Sequence, residues 1–187
     1  MIIKKIHFEI DKTNKAKSFE KSIYQKYKNY SVQDSQVIVV IGGDGFMLQI
    51  LKKYQKYQKP FYGLNRGTFG FLMNKFKLHD IYRNISRAKL VTISALEMRA
   101  ITKKNKIVSA YAINEVSLLR QSKQTSSIQI LSKKRIVIKK LVSDGVLVST
   151  PAGSTAYNLS IHGPILSLNS KKIAITPISP FRPRRWK

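Results

Sequence analysis

An aspartate stands inside a glycine-rich turn, in the sequence Gly-Gly-Asp-Gly at residues 42–45. The five residues before the turn are all apolar, which predicts a buried strand leading into it, and the pattern after it predicts a helix. Such turns bind phosphate, because backbone N–H groups and a helix N-terminus attract anions. Asp44 can hold Mg²⁺ together with phosphates, or take a proton from a hydroxyl that receives a phosphoryl group. Both uses indicate a kinase; the alternative is that Asp44 only caps the helix.

Two further segments carry groups that can bind a nucleotide. A predicted strand at 146–150 runs into a turn and a helix beginning near Ser154, where N–H groups and hydroxyls can contact phosphates. Capping by Ser154 is the alternative there, and Ala156 excludes a GxSxG nucleophile elbow. Asn114 and Glu115 are predicted to end another strand. Their adjacent amide and carboxylate can contact base edges or ribose hydroxyls, although such a pair more often only marks a strand end.

Apolar periodicity places these motifs in two domains. Strands are predicted at 6–10, 36–41 and 60–64, with amphipathic helices over 11–30, after the glycine turn and near 78–85. The order βαβαβ followed by a helix predicts an open α/β nucleotide-binding domain over residues 1–88. Residues 89–187 contain several strand-like runs and one short helix after Gly153, which predicts a β-rich, sandwich-like second domain.

Composition excludes several classes of protein. The 187 residues contain no cysteine, which rules out disulfides and thiolate metal sites, and the three histidines are too scattered to favour a zinc site. No apolar run of about 18 residues and no secretory leader is present, so a soluble, cytoplasmic protein without a membrane partner is predicted. Lys and Arg number 35 against 9 Asp and Glu, a net charge of +26. Because these cations are spread along the chain, a polyphosphate-friendly surface is favoured over a specific nucleic-acid partner, and a polyanion partner is the alternative.

Four segments together resemble the NAD kinase family over nearly the whole chain. In chain order they are GGDG at 42–45, GLNRGTFGFL at 63–72, NE at 114–115 and DGVLVSTPAGSTAYNLSIHGP at 144–164. GGDG alone is shared with lipid kinases of the diacylglycerol and sphingosine type, whereas TPAGSTAYNLS is far more specific.

The resemblance implies transfer of the terminal phosphate of ATP, or of polyphosphate, to the 2′-hydroxyl of the adenosine ribose of NAD, which gives NADP. It also implies a divalent metal, normally Mg²⁺, and a homo-oligomer. Asp44 matches the general base, Gly45 its neighbour in the NAD site, and Asn114 and Glu115 the pair that contacts adenine and ribose. No residue is assigned to the metal. The remaining dinucleotide-binding positions are Asp144, Ala152, Thr155, Ala156, Tyr157, Asn158, Leu159 and Ser160.

The chain departs from the family pattern in places. Phe46 stands where many members have Thr, Val142 where some have Arg, and His162 where many have Gly. Members also continue with further strands beyond the point where this chain stops, at Lys187, so we expect a shortened kinase whose second domain looks incomplete. Two alternatives stay open. One is a lipid kinase, and the segment TPAGSTAYNLS at 150–160 argues against it. The other is a non-catalytic nucleotide- or polyanion-binding remnant.

Overall fold

The computed structural model describes residues 3–183. Within it the chain forms two compact units, which divide between Leu90 and Val91. The predicted ranges 1–88 and 89–187 also include residues 1–2 and 184–187, which lie outside the described residues. The function assigned to each predicted domain stays a prediction.

The first unit is a three-stranded parallel sheet covered by helices. Its strands, in the spatial order β1-β2-β3, are β1 (Ile6–Ile10), β2 (Val37–Gly42) and β3 (Phe61–Asn65). Its helices are α1 (Asn14–Lys17), α2 (Glu20–Lys26), α3 (Asp44–Tyr54) and α4 (Ile81–Arg87), with a 3₁₀ turn at Gln55–Tyr57 after α3. All six residues of β2 are buried, as expected for the central strand of a covered parallel sheet.

Alternate residues of β2 belong to two different cores. Val39 packs in a cluster with residues of β1, α1, α2 and α4. Ile38 and Val40 pack in a second cluster with Met47 and Ile50 of α3. Since successive strand residues point to opposite faces, the apolar run of β2 contributes to both cores. The glycine turn follows the carboxyl end of this central strand.

The single helix predicted over 11–30 is wrong, because the structure has the two short helices α1 and α2 there. The Ser18 hydroxyl donates to the Lys15 carbonyl at 3.2 Å, a local bond that competes with continuation of the helix. The core-facing positions agree with the predicted pattern, since Ala16 and Ile23 are fully buried.

The second unit consists of antiparallel strands. They are β4 (Leu96–Ile101), β5 (Ile107–Ala112), β6 (Glu115–Leu119), β7 (Ser126–Ser132), β8 (Arg135–Ser143), β9 (Gly145–Ser149) and β10 (Ala174–Ile178). Strands β4 and β5 pair with each other, β7 pairs with β8, and β9 lies between β10 and β6. A 3₁₀ turn at Gly153–Thr155 and the one-turn helix α5 (Tyr157–Ser160) follow β9. An α/β first unit and a β-rich second unit confirm the predicted fold class. None of the helices within residues 3–183 has the length and apolar character needed to cross a membrane.

Candidate functional site

The glycine turn after β2 packs directly against a second glycine-rich loop, which follows β3. The Gly42 carbonyl accepts a hydrogen bond from the Arg66 backbone N–H at 2.7 Å. A Cβ added to Gly67 would lie 2.7 Å from the Gly43 Cα, closer than carbon atoms normally approach. The two loops therefore meet backbone to backbone, and only glycine at residue 67 permits that contact.

The carboxylate of Asp44 is held by the second loop. The backbone N–H of Phe71 donates to Oδ2 at 2.9 Å, and that of Leu72 donates to Oδ1 at 3.0 Å. Asp44 is half-buried, and each carboxylate oxygen keeps a lone pair for a further donor. Next to it, Gly45 is exposed, with nothing within 4 Å of an added Cβ, so a ligand can approach on that side. Helix capping by Asp44 is not observed, because Asp44 is the first residue of α3 and both oxygens bond to the other loop.

Basic side chains secure the second loop at its base. The Arg66 Nε donates to the Lys15 carbonyl at 3.1 Å, and the Lys15 ammonium donates to the Gly67 carbonyl at 3.3 Å. The Arg66 guanidinium carbon lies 4.3 Å from the Phe19 ring centre and 4.7 Å from that of Phe76. Cation–π contact with both rings holds the arginine in place, which supports the loop that positions the Asp44 carboxylate.

In the second unit, Asn114 and Glu115 present two unpaired acceptors. The pair does not end a strand as predicted: Glu115 is the first residue of β6, where it lies opposite Ser149 of β9. Asn114 Oδ1 and Glu115 Oε2 are buried, and within the described residues neither accepts a hydrogen bond. Burial raises the pKa of Glu115 above its ordinary value, because desolvation disfavours the charged carboxylate. Buried acceptors without partners are costly, so donors of a ligand would stabilise this site.

Thr150 attaches the turn after β9 to the Asn114 segment. Its backbone N–H donates to the Asn114 carbonyl at 2.8 Å, and its hydroxyl donates to the Ile113 carbonyl at 2.7 Å. The same hydroxyl accepts the Gly153 N–H at 3.0 Å. A Cβ added to Gly153 would lie 2.2 Å from the Asn114 carbonyl oxygen, so glycine is required for this approach. The buried Ala152 lies in the same turn, and the structure thus brings the acceptor pair and this predicted position together.

The residues that follow have unequal exposure. Ser154 does not cap a helix, because it lies inside the 3₁₀ turn, where its hydroxyl donates to the Pro151 carbonyl at 2.7 Å. Asn158 is fully buried, and its amide donates to the Ser154 carbonyl at 3.2 Å and accepts the Thr176 hydroxyl at 2.7 Å. Its amide also donates to the Pro164 carbonyl at 2.9 Å. Asn158 therefore braces the turn from inside, and a contact with dinucleotide stays a prediction. Thr155 and Ala156 are half-buried, and Tyr157, Leu159 and Ser160 are exposed.

Comparison with known proteins decides the family. The family model described as the ATP-NAD kinase N-terminal domain matches residues 3–89, and the one described as the ATP-NAD kinase C-terminal domain matches residues 113–185. The chain belongs to the NAD kinase family. An NAD kinase of Brucella suis is 48% identical over 181 residues, which are 97% of this chain and 70% of that protein. An NAD kinase of Mesorhizobium japonicum is 49% identical over 182 residues, 97% of this chain and 71% of that protein.

Solved structures show the same fold. Yeast NADH kinase, solved in complex with NADH, has a TM-score of 0.74 at 22% identity, and the match covers 100% of this chain and 69% of that chain. An NAD kinase from Archaeoglobus fulgidus, solved in complex with ATP, has a TM-score of 0.66 at 23% identity, with coverage of 97% and 74%. The predicted NAD kinase family is confirmed, and it is favoured over the lipid-kinase alternative.

The structure does not bring every NAD kinase position together. Asp144 precedes β9, whereas Glu115 lies opposite Ser149 at the other end of that strand. Ser149 lies five positions after Asp144, a span of about 17 Å in extended chain. The Asp144 carboxylate pairs instead with Arg120, whose Nε lies 2.6 Å from Oδ1. A role for Asp144 in the same dinucleotide pocket stays a prediction.

Some supporting residues were missed in the sequence. Arg66, Lys15 and Gly67 were not assigned to the site, although the segment 63–72 was recognised as a family loop. Its glycines were the available signal, because closely spaced glycines indicate close backbone approach. Phe46, which replaces the common Thr, packs below the turn: a Cβ added to Gly42 would lie 2.8 Å from its ring.

Proposed function

We propose that the chain transfers the terminal phosphate of ATP, or of polyphosphate, to the 2′-hydroxyl of the adenosine ribose of NAD, giving NADP. Membership of the NAD kinase family supports this proposal at the level of the whole chain. The observation that carries it is the Asp44 carboxylate, which is fixed by two backbone N–H groups beside an open glycine and keeps free lone pairs. A non-catalytic structural turn does not need an acceptor arranged in this way.

Asp44 acts as the general base. As the 2′-oxygen of the ribose attacks the terminal phosphorus, its proton passes to a carboxylate oxygen of Asp44. The new bond joins the 2′-oxygen to phosphorus, and the bond between that phosphorus and the bridging oxygen of the donor breaks, so the electron pair leaves with the shortened donor. The Phe71 and Leu72 N–H groups keep the carboxylate oriented, which spares the reaction the cost of ordering it.

Asn114 and Glu115 bind the adenosine part of NAD. Their buried, unpaired oxygens suit the adenine amino group and a ribose hydroxyl, which are hydrogen-bond donors. The same nucleotide is contacted by residues of the turn and helix that follow β9, namely Ala152, Thr155, Ala156, Tyr157, Leu159 and Ser160. Burial raises the pKa of Glu115, and a hydrogen bond donated by NAD to its carboxylate would favour the ionised form and oppose that rise.

A divalent metal, normally Mg²⁺, fits this site only if substrate phosphates supply most of its ligands. The described residues contain no group of three or more His, Cys, Asp or Glu that could hold an ion by themselves. Mg²⁺ commonly uses one or two carboxylates plus substrate phosphates, and Asp44 is the carboxylate of the glycine turn that would meet them. When bound, the ion neutralises phosphate charge. We also propose a homo-oligomer and a cytoplasmic location, where NAD and ATP are available.

The direct test is product formation. The purified chain is incubated with NAD, ATP and Mg²⁺, and NADP is measured with an NADP-specific dehydrogenase. The matched control replaces NAD by its analogue that lacks the 2′-hydroxyl, and a parallel reaction replaces ATP by polyphosphate. Phosphorylated product from NAD, and none from the analogue, supports the proposal. Binding of NAD without NADP from either donor would contradict it and favour the non-catalytic binder.

A further inference from the structure

A separate concave surface lies at the start of α4 in the first unit. This cleft has a volume of about 390 Å³, and its lining contains none of the residues assigned to the kinase site. Three cations, Lys77, Arg83 and Arg87, line it together with His79, Asp80 and Asn84.

The walls of the cleft are held by bonds to their backbone. The Tyr27 hydroxyl donates to the Leu78 carbonyl at 2.7 Å, which ties the segment before α4 to α2. The Asn84 side-chain amide donates to the His79 carbonyl at 3.0 Å, and the Asn84 backbone N–H donates to the Asp80 carbonyl at 2.9 Å. Asp80 itself has a φ of 53°. These bonds hold the backbone of the turn into α4, which forms part of the wall of the cleft.

The cations of the cleft have no carboxylate partners. Asp80 is the one acid in the lining, and its Oδ2 lies 2.7 Å from the His79 Nδ1. Within residues 3–183, no carboxylate lies within 4.0 Å of the cationic groups of Lys77, Arg83 or Arg87. Three like charges on one concave surface repel each other, and a bound polyvalent anion would relieve that repulsion.

We propose that this cleft binds the phosphate chain of a di- or triphosphate, at a site distinct from the kinase site. Arg83 and Arg87 are one helical turn apart, about 6 Å along the axis, so they can contact different phosphates of one chain. The lining contains no Phe, Tyr or Trp on which a base could stack, so recognition is by phosphate rather than by the nucleoside.

The test measures binding without using catalysis. Radiolabelled tripolyphosphate is dialysed to equilibrium against the full chain at about 0.15 M salt, where the weakest surface attraction is screened. The variant Arg83→Ala/Arg87→Ala is compared with Arg99→Ala/Arg135→Ala, which removes the same charge from two exposed strand positions. Alanine favours helix, so the first variant is expected to keep α4 folded.

We expect one class of tripolyphosphate-binding site to have an affinity about tenfold lower, or lower still, in the cleft variant than in the wild type. The control variant should bind tripolyphosphate as the wild type does. In the wild type, tripolyphosphate should also protect Arg83 and Arg87 from phenylglyoxal, as mapped by mass spectrometry, and leave Arg99 and Arg135 reactive. ATP should give the same protection and adenosine none. Equal losses in the two variants, or no selective protection, would overturn the proposal, whatever the kinase assay shows.

Discussion

Replacing Gly67 by alanine should separate the two glycine loops. The added Cβ would lie 2.7 Å from the Gly43 Cα and 3.4 Å from both the Gly43 nitrogen and the Phe69 carbonyl oxygen. Carbon atoms pack at about 3.5–4.0 Å, so the backbones must move apart by about 1 Å. No glycine among the described residues has a positive φ, so backbone strain at residue 67 does not contribute and the contact alone decides the effect.

The size of the effect follows from that contact. Overpacking of this kind costs about 1–3 kcal/mol, and for a chain of this length each kcal/mol lowers the melting temperature by about 3 °C. We therefore expect Gly67→Ala to melt about 3–9 °C lower than the wild type. Since the moving loop carries the N–H groups that hold Asp44, a displacement of this size should also reduce kcat by about 10²-fold.

Gly45→Ala is the matched control for stability. An added Cβ at this residue meets nothing within 4 Å, and the residue lies in the first turn of α3. Alanine is a better helix former than glycine, so the melting temperature should rise by about 1–3 °C. Both variants are measured by thermal melting followed by far-ultraviolet circular dichroism. If Gly67→Ala melted at or above the wild-type temperature, the proposed contact between the loops would be wrong.

Three further perturbations test other parts of the structure. Glu115 has a raised pKa, so the folded protein loses stability as pH rises through that pKa and the carboxyl ionises. Glu115→Gln should therefore melt at a higher temperature than the wild type at pH 8 and at the same temperature at pH 4. The variant should also bind NAD more weakly, as measured by calorimetry. Burial alone would raise the pKa of Glu9, but hydrogen bonds from Tyr54 and Lys53 outweigh it and lower that pKa, so Glu9→Gln should be destabilising at pH 7 and less so as pH falls through the folded pKa. The Lys59 ammonium donates to three carbonyls of the loop before β2, and Lys59→Met should lower the melting temperature by about 3–9 °C, whereas a change in melting temperature no larger than that of Lys56→Met would refute this role.

Local sequence patterns were sufficient for the glycine turn. All residues of β2 are buried, so an uninterrupted apolar run, without alternating polar residues, was enough to predict the strand. The helix after the turn was predicted because its apolar residues recur at helical spacing. The helix predicted over 11–30 failed because apolar spacing reports which residues face the core and not whether hydrogen bonding is continuous. The Ser18 hydroxyl donates to the Lys15 carbonyl, and this local bond competes with the backbone hydrogen bonds that would continue the helix.

Contacts distant in sequence account for what could not be predicted. The N–H groups that hold Asp44 come 27 and 28 residues later, and no local pattern specifies that two loops will meet. The register of β6 and β9 is also set between distant segments, and it places Asp144 and Glu115 at opposite strand ends; their assignment to one pocket stays a prediction. Asn158 has the residue type of a ligand-binding group, and only its burial shows that its amide is used within the protein.

The most direct test of the account is the turnover of Asp44→Asn beside its affinity for NAD. Asparagine keeps the shape of the side chain and cannot take the proton from the 2′-hydroxyl. We expect kcat for NADP formation to fall by roughly 10²–10⁴-fold, while the dissociation constant for NAD, measured by calorimetry, stays close to that of the wild type. A variant that forms NADP at nearly the wild-type rate would contradict the assignment of Asp44 as the general base.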